Sequence, residues 1–418
     1  MKSRFLIRQI TLAASLAAAL NGAAQTVVFD TNVQRGQYYR IPAVVQLNDG
    51  RLLAVADDRH GNDYDIGSNQ GIDVVGRTSN DGGKTWSSPF IIADGDSRSN
   101  AFHNSHGDAA AVVDSETGNV LIMCASGKQG FLTSTLADPL RVGRYTSHDN
   151  GVTWQQDEVT SDIYGIFGNQ HDVCGLFFSS GRICQSRSVK HGDFYRIYAA
   201  VDAPVGVGCL VLFSDDFGLS WQALGGPQAR PTTAPWGDEA KVEELPNGNV
   251  LLSCRSKSTS TCGRLFNIYD YAQGSWGEMV ISNHPQLGTF SEDCSCNGEL
   301  LIVPAIRNSD RRHVHLALQS LPRGKGRQQV SIYYKPLLDT RDYDSPDDFS
   351  WGWKCYQVTG AHSAYSTMIA LSNGDIAFFH EDCNDNHSTT AYDLVFRILT
   401  IEIITGGRYA ALNINDND

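Results

Sequence analysis

From residue 25 onward the apolar residues fall in short runs, at 44–47, 53–56, 72–75, 90–92, 250–252, 316–318 and 330–334. Turn-forming residues bound them, among them Asn48-Asp49-Gly50, Asn247-Gly248 and Ser372-Asn373-Gly374-Asp375. Short runs with this punctuation predict strands joined by tight turns. Long helical periodicity is scarce, so the pattern points to an all-β chain.

The turns repeat. Residues 79–86, 147–154 and 214–221 all read S-x-D-x-G-x-[ST]-W, with starts 68 and 67 residues apart (147 − 79 and 214 − 147). Asp and Ser side chains bond nearby backbone and hold a tight turn. Gly supplies a positive φ, and Trp packs over the turn. Strand-like runs on both sides of the first box make each box a hairpin turn inside one sheet. Weaker echoes stand at 269–276 and 345–351. A period near 65 residues, over roughly 390 residues, implies about six sheets in a radial array, a six-bladed β-propeller.

The start of the chain breaks this pattern. Lys2, Arg4 and Arg8 precede an apolar stretch at 10–20, and Gly22, Ala23 and Ala24 suit cleavage after Ala24. Residues 1–24 read as a signal peptide and 25–418 as a single propeller domain. The apolar stretch is short for a membrane span, and no later segment approaches the roughly 20 apolar residues one needs. The expectation is an exported protein, periplasmic, surface-attached or secreted.

Composition narrows the partners. The net charge of −13, from 46 acidic and 33 basic side chains, argues against nucleic acid. It leaves room for a small anion held by a local cluster of arginines. All ten cysteines follow the leader, which fits an oxidising compartment without fixing any pairing. Cys294 and Cys296 lack a second pair at zinc spacing and read as structural. His103, His106 and Asp108 fit no common metal site.

The boxes resemble the Asp boxes of the sialidase and neuraminidase superfamily, which alone argue fold and not chemistry. A second set of motifs is more specific. Tyr39-Arg40-Ile41-Pro42, 39 residues before the first box (79 − 40), resembles the arginine-isoleucine-proline motif near the start of bacterial-type exo-α-sialidase domains. The resemblance runs from about residue 35 to 400. It implies that Arg40, Arg255 and Arg327 grip a substrate carboxylate, and that Arg59 meets ring substituents near the 4-position. It places the catalytic aspartate in the loop after Arg59, where Asp63 and Asp65 compete. Ile66-Gly67 after Asp65 fits the family loop better.

Glu239, 16 residues before Arg255 (255 − 239), matches the catalytic glutamate. Glu243 and Glu244, nearer the turn, are expected to be exposed. Arg327 stands just before the strand at 330–334. Leu321 replaces the family's usual Asn or His before the proline, which keeps Arg323 as an alternative in the same basic loop. Tyr365, within Ala364-Tyr365-Ser366, matches the nucleophile, and Glu381 the late glutamate that buttresses the first arginine.

The implied chemistry is coherent. Arginine forks bind a carboxylate through planar, charge-assisted bonds. A neutral phenol avoids the repulsion that an anionic nucleophile would meet beside that carboxylate, and sialidases depart in this way from the two-carboxylate scheme of most glycosidases. The resemblance implies retaining hydrolysis of terminal sialic acids on glycoproteins, gangliosides and oligosaccharides by a monomer, without metal or organic cofactor. Two other readings remain. A lectin-like propeller would keep the arginines without the Tyr365–Glu239 pair. An Asp-box glycosidase of neutral or uronic sugars would use two carboxylates.

Overall fold

The computed structural model describes residues 25–68, 70–95, 105–168, 173–203, 207–232, 237–256, 262–293, 296–383 and 391–412. The leader at 1–24, His103 and Cys294 lie outside these residues.

Among the described residues, strands form six sheets of four or five strands, each built mostly from consecutive antiparallel strands. The first long strands of the blades are Gln37–Gln46, Ser105–Val113, Cys184–His191, Gly237–Glu244, Leu300–Arg307 and Ser363–Ala370. The array closes by a swap. Strand Gln25–Phe29, at the start of the described chain, pairs with Asp393–Leu399 of the last blade. This joins first blade to last and leaves no open seam in the ring.

Six hydrophobic clusters each lie between two neighbouring blades. Along Gln37–Gln46, Ala43 and Val45 pack toward the second blade while Val44 packs toward the last. Both faces of the inner strands are therefore buried, which explains why the sequence shows apolar runs there and not strict alternation. Outer strands such as Gln155–Glu158 and Lys354–Gln357 stay largely exposed.

The three boxes connect the third and fourth strands of their blades. In the first, Ser79 Oγ accepts from Gly83 N at 2.8 Å, and Asp81 accepts from Thr85 N and Thr85 Oγ1 at 2.9 and 2.6 Å. Asp149 and Asp216 repeat this with Thr153 and Ser220. Gly83 holds φ +87°, and a Cβ there would lie 2.1 Å from the Phe396 ring. Both conformation and space demand glycine.

The echo at 345–351 is not a box. Ser345 and Asp348 form a reciprocal cap on the 3-10 helix Pro346–Phe349, and Trp351 is 62% exposed while Trp353 fills the core. Glu243 and Glu244 also differ from expectation. Both are buried, because Arg182, on a short strand paired with the second blade, and Arg187, from the third blade, reach them and supply ion pairs. The expected basic loop at 323–327 is shorter too, since strand His313–Gly324 includes Arg323.

Candidate active site

One end of the propeller opens into a cleft of about 830 Å³ lined by Arg40, Asp63, Asp65, Asp108, Asp238, Glu239, Arg255, Arg327 and Tyr365. A shared local device brings several of these residues there. The first strands of four blades carry register shifts between Arg40 and Ala43, Gly107 and Ala110, Gly237 and Ala240, and Ser363 and Ser366. Within those shifts sit Ile41, Asp108, the pair Asp238-Glu239, and Tyr365. A regular strand would send alternate side chains into the flanking blades; an irregularity re-aims them toward the cleft. Ile41 and Asp108 both hold φ 57°, a strained value for a β-branched residue in particular.

Tyr365 Oη donates to Glu239 Oε2 at 3.0 Å. Arg255 Nη1 donates to the same carboxylate oxygen at 2.8 Å and lies 3.4 Å from the phenol oxygen. The guanidinium carbons of Arg40 and Arg327 stand 5.9 and 5.7 Å from the Tyr365 ring centroid. Burial pushes the Tyr365 phenol well above its usual range; the Glu239 charge adds to the rise and Arg255 opposes it. Burial also raises Glu239, against the pull of Arg255 and with help from Asp238.

Glu381 organises this side of the cleft from beneath. Its Oε1 accepts from Arg40 Nε at 2.7 Å and from Ile41 N at 3.0 Å, and its Oε2 accepts from Tyr365 N at 3.1 Å. One buried carboxylate thus fixes the arginine, the strained bulge and the strand that carries the phenol.

On the opposite side, Arg59 Nη1 donates to Asp65 Oδ1 at 2.6 Å and to the carbonyl oxygen of Asp63 at 2.8 Å. Asp65 therefore presents its carboxylate to the arginine, and Asp63 its backbone. Enclosure by protein on the cleft side opposes ionisation of Asp65. Its side chain is nevertheless 80% exposed, so the guanidinium groups of Arg59, Arg40 and Arg327 decide the direction and hold it below the usual carboxylate range. Arg59, expected to meet the sugar ring, is 1% exposed. Its other edge binds Asp57 Oδ2 through Nε at 3.2 Å and Nη2 at 2.8 Å.

Arg327 lines the cleft at the turn of its hairpin, with φ 61°. Arg323 instead acts electrostatically on Tyr333 and Cys355, toward the outer strands of the same blade. Several residues of the site escaped the sequence reading. Asp57 is fully buried, and burial raises its carboxyl to about 6. Asp108, which the sequence marked only as fitting no common metal site, lies within strand Ser105–Val113 and donates its N–H to Asp57 Oδ1 at 3.0 Å. Burial and the neighbouring Asp57 and Asp65 charges raise the Asp108 carboxyl well above its usual range. Asp238 pairs with Arg255 at 3.6 Å, and the Tyr392 ring lies 5.3 Å from the Arg40 guanidinium carbon. His106 stacks edge-on against Tyr145 at 5.7 Å. Among the described residues no three His, Cys, Asp or Glu side chains are grouped to hold a metal ion.

Residues 64–378 match the BNR repeat-like domain. A sialidase of Clostridium perfringens is 32% identical over 384 residues, an alignment that takes in 84% of this chain and 90% of the relative. The chain belongs to the sialidase family. A sialidase of Micromonospora viridifaciens is also 32% identical, over 357 residues, covering 82% of this chain and 50% of that protein, so the chain spans half the length of this relative. The intramolecular trans-sialidase of Ruminococcus gnavus, solved with oseltamivir carboxylate, superposes with a TM-score of 0.70 over 91% of this chain and 98% of that one, at 15% identity. That likeness shows the shared propeller.

Proposed function

We propose that this sialidase removes terminal sialic acids from glycoconjugates by retaining hydrolysis, with Tyr365 as nucleophile. The observation that carries the reading is the convergence of Arg40, Arg255 and Arg327 on the phenol that is hydrogen-bonded to Glu239. A carboxylate gripped by these three guanidinium groups brings the carbon that bears it close to the phenol oxygen. Among common sugars, sialic acids carry such a carboxylate on the anomeric carbon itself.

In the first displacement Tyr365 Oη attacks the anomeric carbon while its proton passes to Glu239. The bond to the leaving group breaks, and Asp65 gives its proton to the departing oxygen. In the second, Asp65 takes a proton from water, whose oxygen attacks the same carbon. The Tyr365 oxygen leaves and recovers its proton from Glu239. Two inversions give net retention. The high affinity of the free phenol for its proton means that loss of the proton must accompany bond formation. The raised basicity of Glu239 favours that coupling.

Substrate binding also prepares the acid. The incoming carboxylate compensates Arg40 and Arg327, two of the charges that depress Asp65, so its pKa rises when the acid is needed. The reading extends to export after removal of residues 1–24 and to a monomeric enzyme acting on glycoproteins, gangliosides and oligosaccharides. No helix among the described residues is long and apolar enough to cross a membrane.

The test is fluorophore release from an aryl α-sialoside by the protein lacking residues 1–24, beside Tyr365→Phe. Turnover that collapses in the variant supports the assignment. Sialic acid binding without turnover in the unaltered protein would favour a lectin-like propeller.

A further inference from the structure

Asp57 sits on the strand Leu52–His60 with its side chain wholly enclosed, two residues before Arg59. It touches no open face of the cleft, yet it is the hub of one side of it. Its Oδ2 receives both Nε and Nη2 of Arg59, and its Oδ1 receives the backbone N–H of Asp108 within the bulged strand of the second blade. Arg59 then spends Nη1 on Asp65 Oδ1 and on the carbonyl of Asp63. A continuous chain of charge-assisted bonds thus runs from a rigid, buried strand to an exposed loop carboxylate.

The geometry points to Asp57 as a positioning residue for the proton-transfer step: through Arg59 it sets where the carboxyl of Asp65 stands relative to the glycosidic oxygen. This inference rests on Asp65 being the acid of the proposed reaction. The backbone of the loop is held by bonds from Ser68 and Gln70 to the carbonyls of Asp65 and Tyr64. The side chains there are open, Tyr64 64% exposed and the Asp65 side chain 80%, so the placement of the Asp65 carboxylate rests on Arg59. Misplacement of a catalytic group by about 1 Å costs up to about 100-fold in rate. A guanidinium can bridge two carboxylates in a fixed plane because its donors are arranged as a rigid fork; an ammonium cannot. The buried partner is needed as well. Without Asp57, Arg59 keeps only the Nη1 bonds to the loop of Asp63 and Asp65 itself, and Asp65 is tethered to a group no longer anchored on the buried strand.

A role in proton transfer has a signature that a general structural role lacks. Protonation matters greatly when the leaving group is a sugar alcohol and little when it is an acidic phenol. The experiment measures kcat/KM for sialyllactose and for an aryl α-sialoside with an acidic phenol, in the unaltered protein, Asp57→Asn, Arg59→Lys and Asp65→Asn. The expected result is a loss for Asp57→Asn and Arg59→Lys that is about ten-fold or more larger on sialyllactose than on the aryl sialoside, in the same direction as Asp65→Asn. Equal losses on the two substrates, or none, in Asp57→Asn would overturn the inference. Should Asp57→Asn fail to fold, Arg59→Lys decides by the same ratio. If Asp65→Asn itself shows no dependence on the leaving group, it is the assignment of the acid that fails.

Discussion

Tyr365 and Glu239 lie 126 residues apart in the chain and share a 3.0 Å hydrogen bond at the cleft, with Arg255 bound to the same carboxylate oxygen. Among the described residues the glutamate is the carboxylate that accepts from the phenol. Glu239→Gln keeps the shape and a hydrogen bond but cannot accept the proton. Its kcat on an aryl α-sialoside is expected to fall about 100-fold or more, the low end of general-base contributions, with a smaller change in KM. Steady-state kinetics on the purified variant checks this.

Glu381 neutralises a buried arginine and holds two backbone N–H groups at once. Removing one partner of a buried ion pair leaves the other charge uncompensated, at a cost of about 3–5 kcal/mol. Glu381→Gln is expected to lose stability of that order in denaturant titration. Asp49→Asn, which breaks the exposed pair with Arg51, should change stability by less than about 1 kcal/mol.

The charges around Asp65 make a prediction about pH. In the free protein Asp65 lies below its usual range. A proton donor must be protonated, so the rate falls as pH rises through its pKa. The profile of kcat/KM reports the free protein and that of kcat the complex. Because the substrate carboxylate compensates Arg40 and Arg327, the basic limb of kcat should lie at higher pH than that of kcat/KM. Coincident limbs would contradict this electrostatic account.

The boxes should show the opposite linkage. Hydrogen bonds from Thr85 hold the Asp81 carboxyl at about 2, and those from Thr153 do the same for Asp149. A carboxyl depressed on folding contributes stability above its unfolded pKa of about 4, lost as pH falls through its folded value. Asp81→Ala should therefore lower Tm at neutral pH, and the gap to the unaltered protein should narrow as pH falls from 4 toward 2. Thermal unfolding followed by circular dichroism across that range measures it.

The boxes were legible because their bonds are local: Ser79 and Asp81 serve residues no more than four positions away. The number of blades followed from their period. The site was legible wherever a short motif marks it, as with Arg40, Glu239 and Tyr365. Asp57 and Asp108 were not, because their meaning arises where strands of two blades come together. Glu243 and Glu244 misled for a related reason. Proximity to a turn implies exposure in an isolated hairpin, but Arg182 and Arg187, brought in by strands of other blades, cover them. Residues 345–351 kept serine and tryptophan but were one residue short of the box spacing, and Ser345 caps a 3-10 helix instead.

The central claim is that the phenol of Tyr365 forms the bond to the sugar. The most direct measurement is peptide mapping by mass spectrometry after reaction with a sialic acid analogue that carries fluoride as leaving group and a second fluorine beside the anomeric carbon to slow turnover of the adduct. The account predicts the sugar on the peptide that contains Tyr365, bonded to that tyrosine. An adduct on Asp65 or Glu239, or inactivation with Tyr365 unmodified, would contradict it.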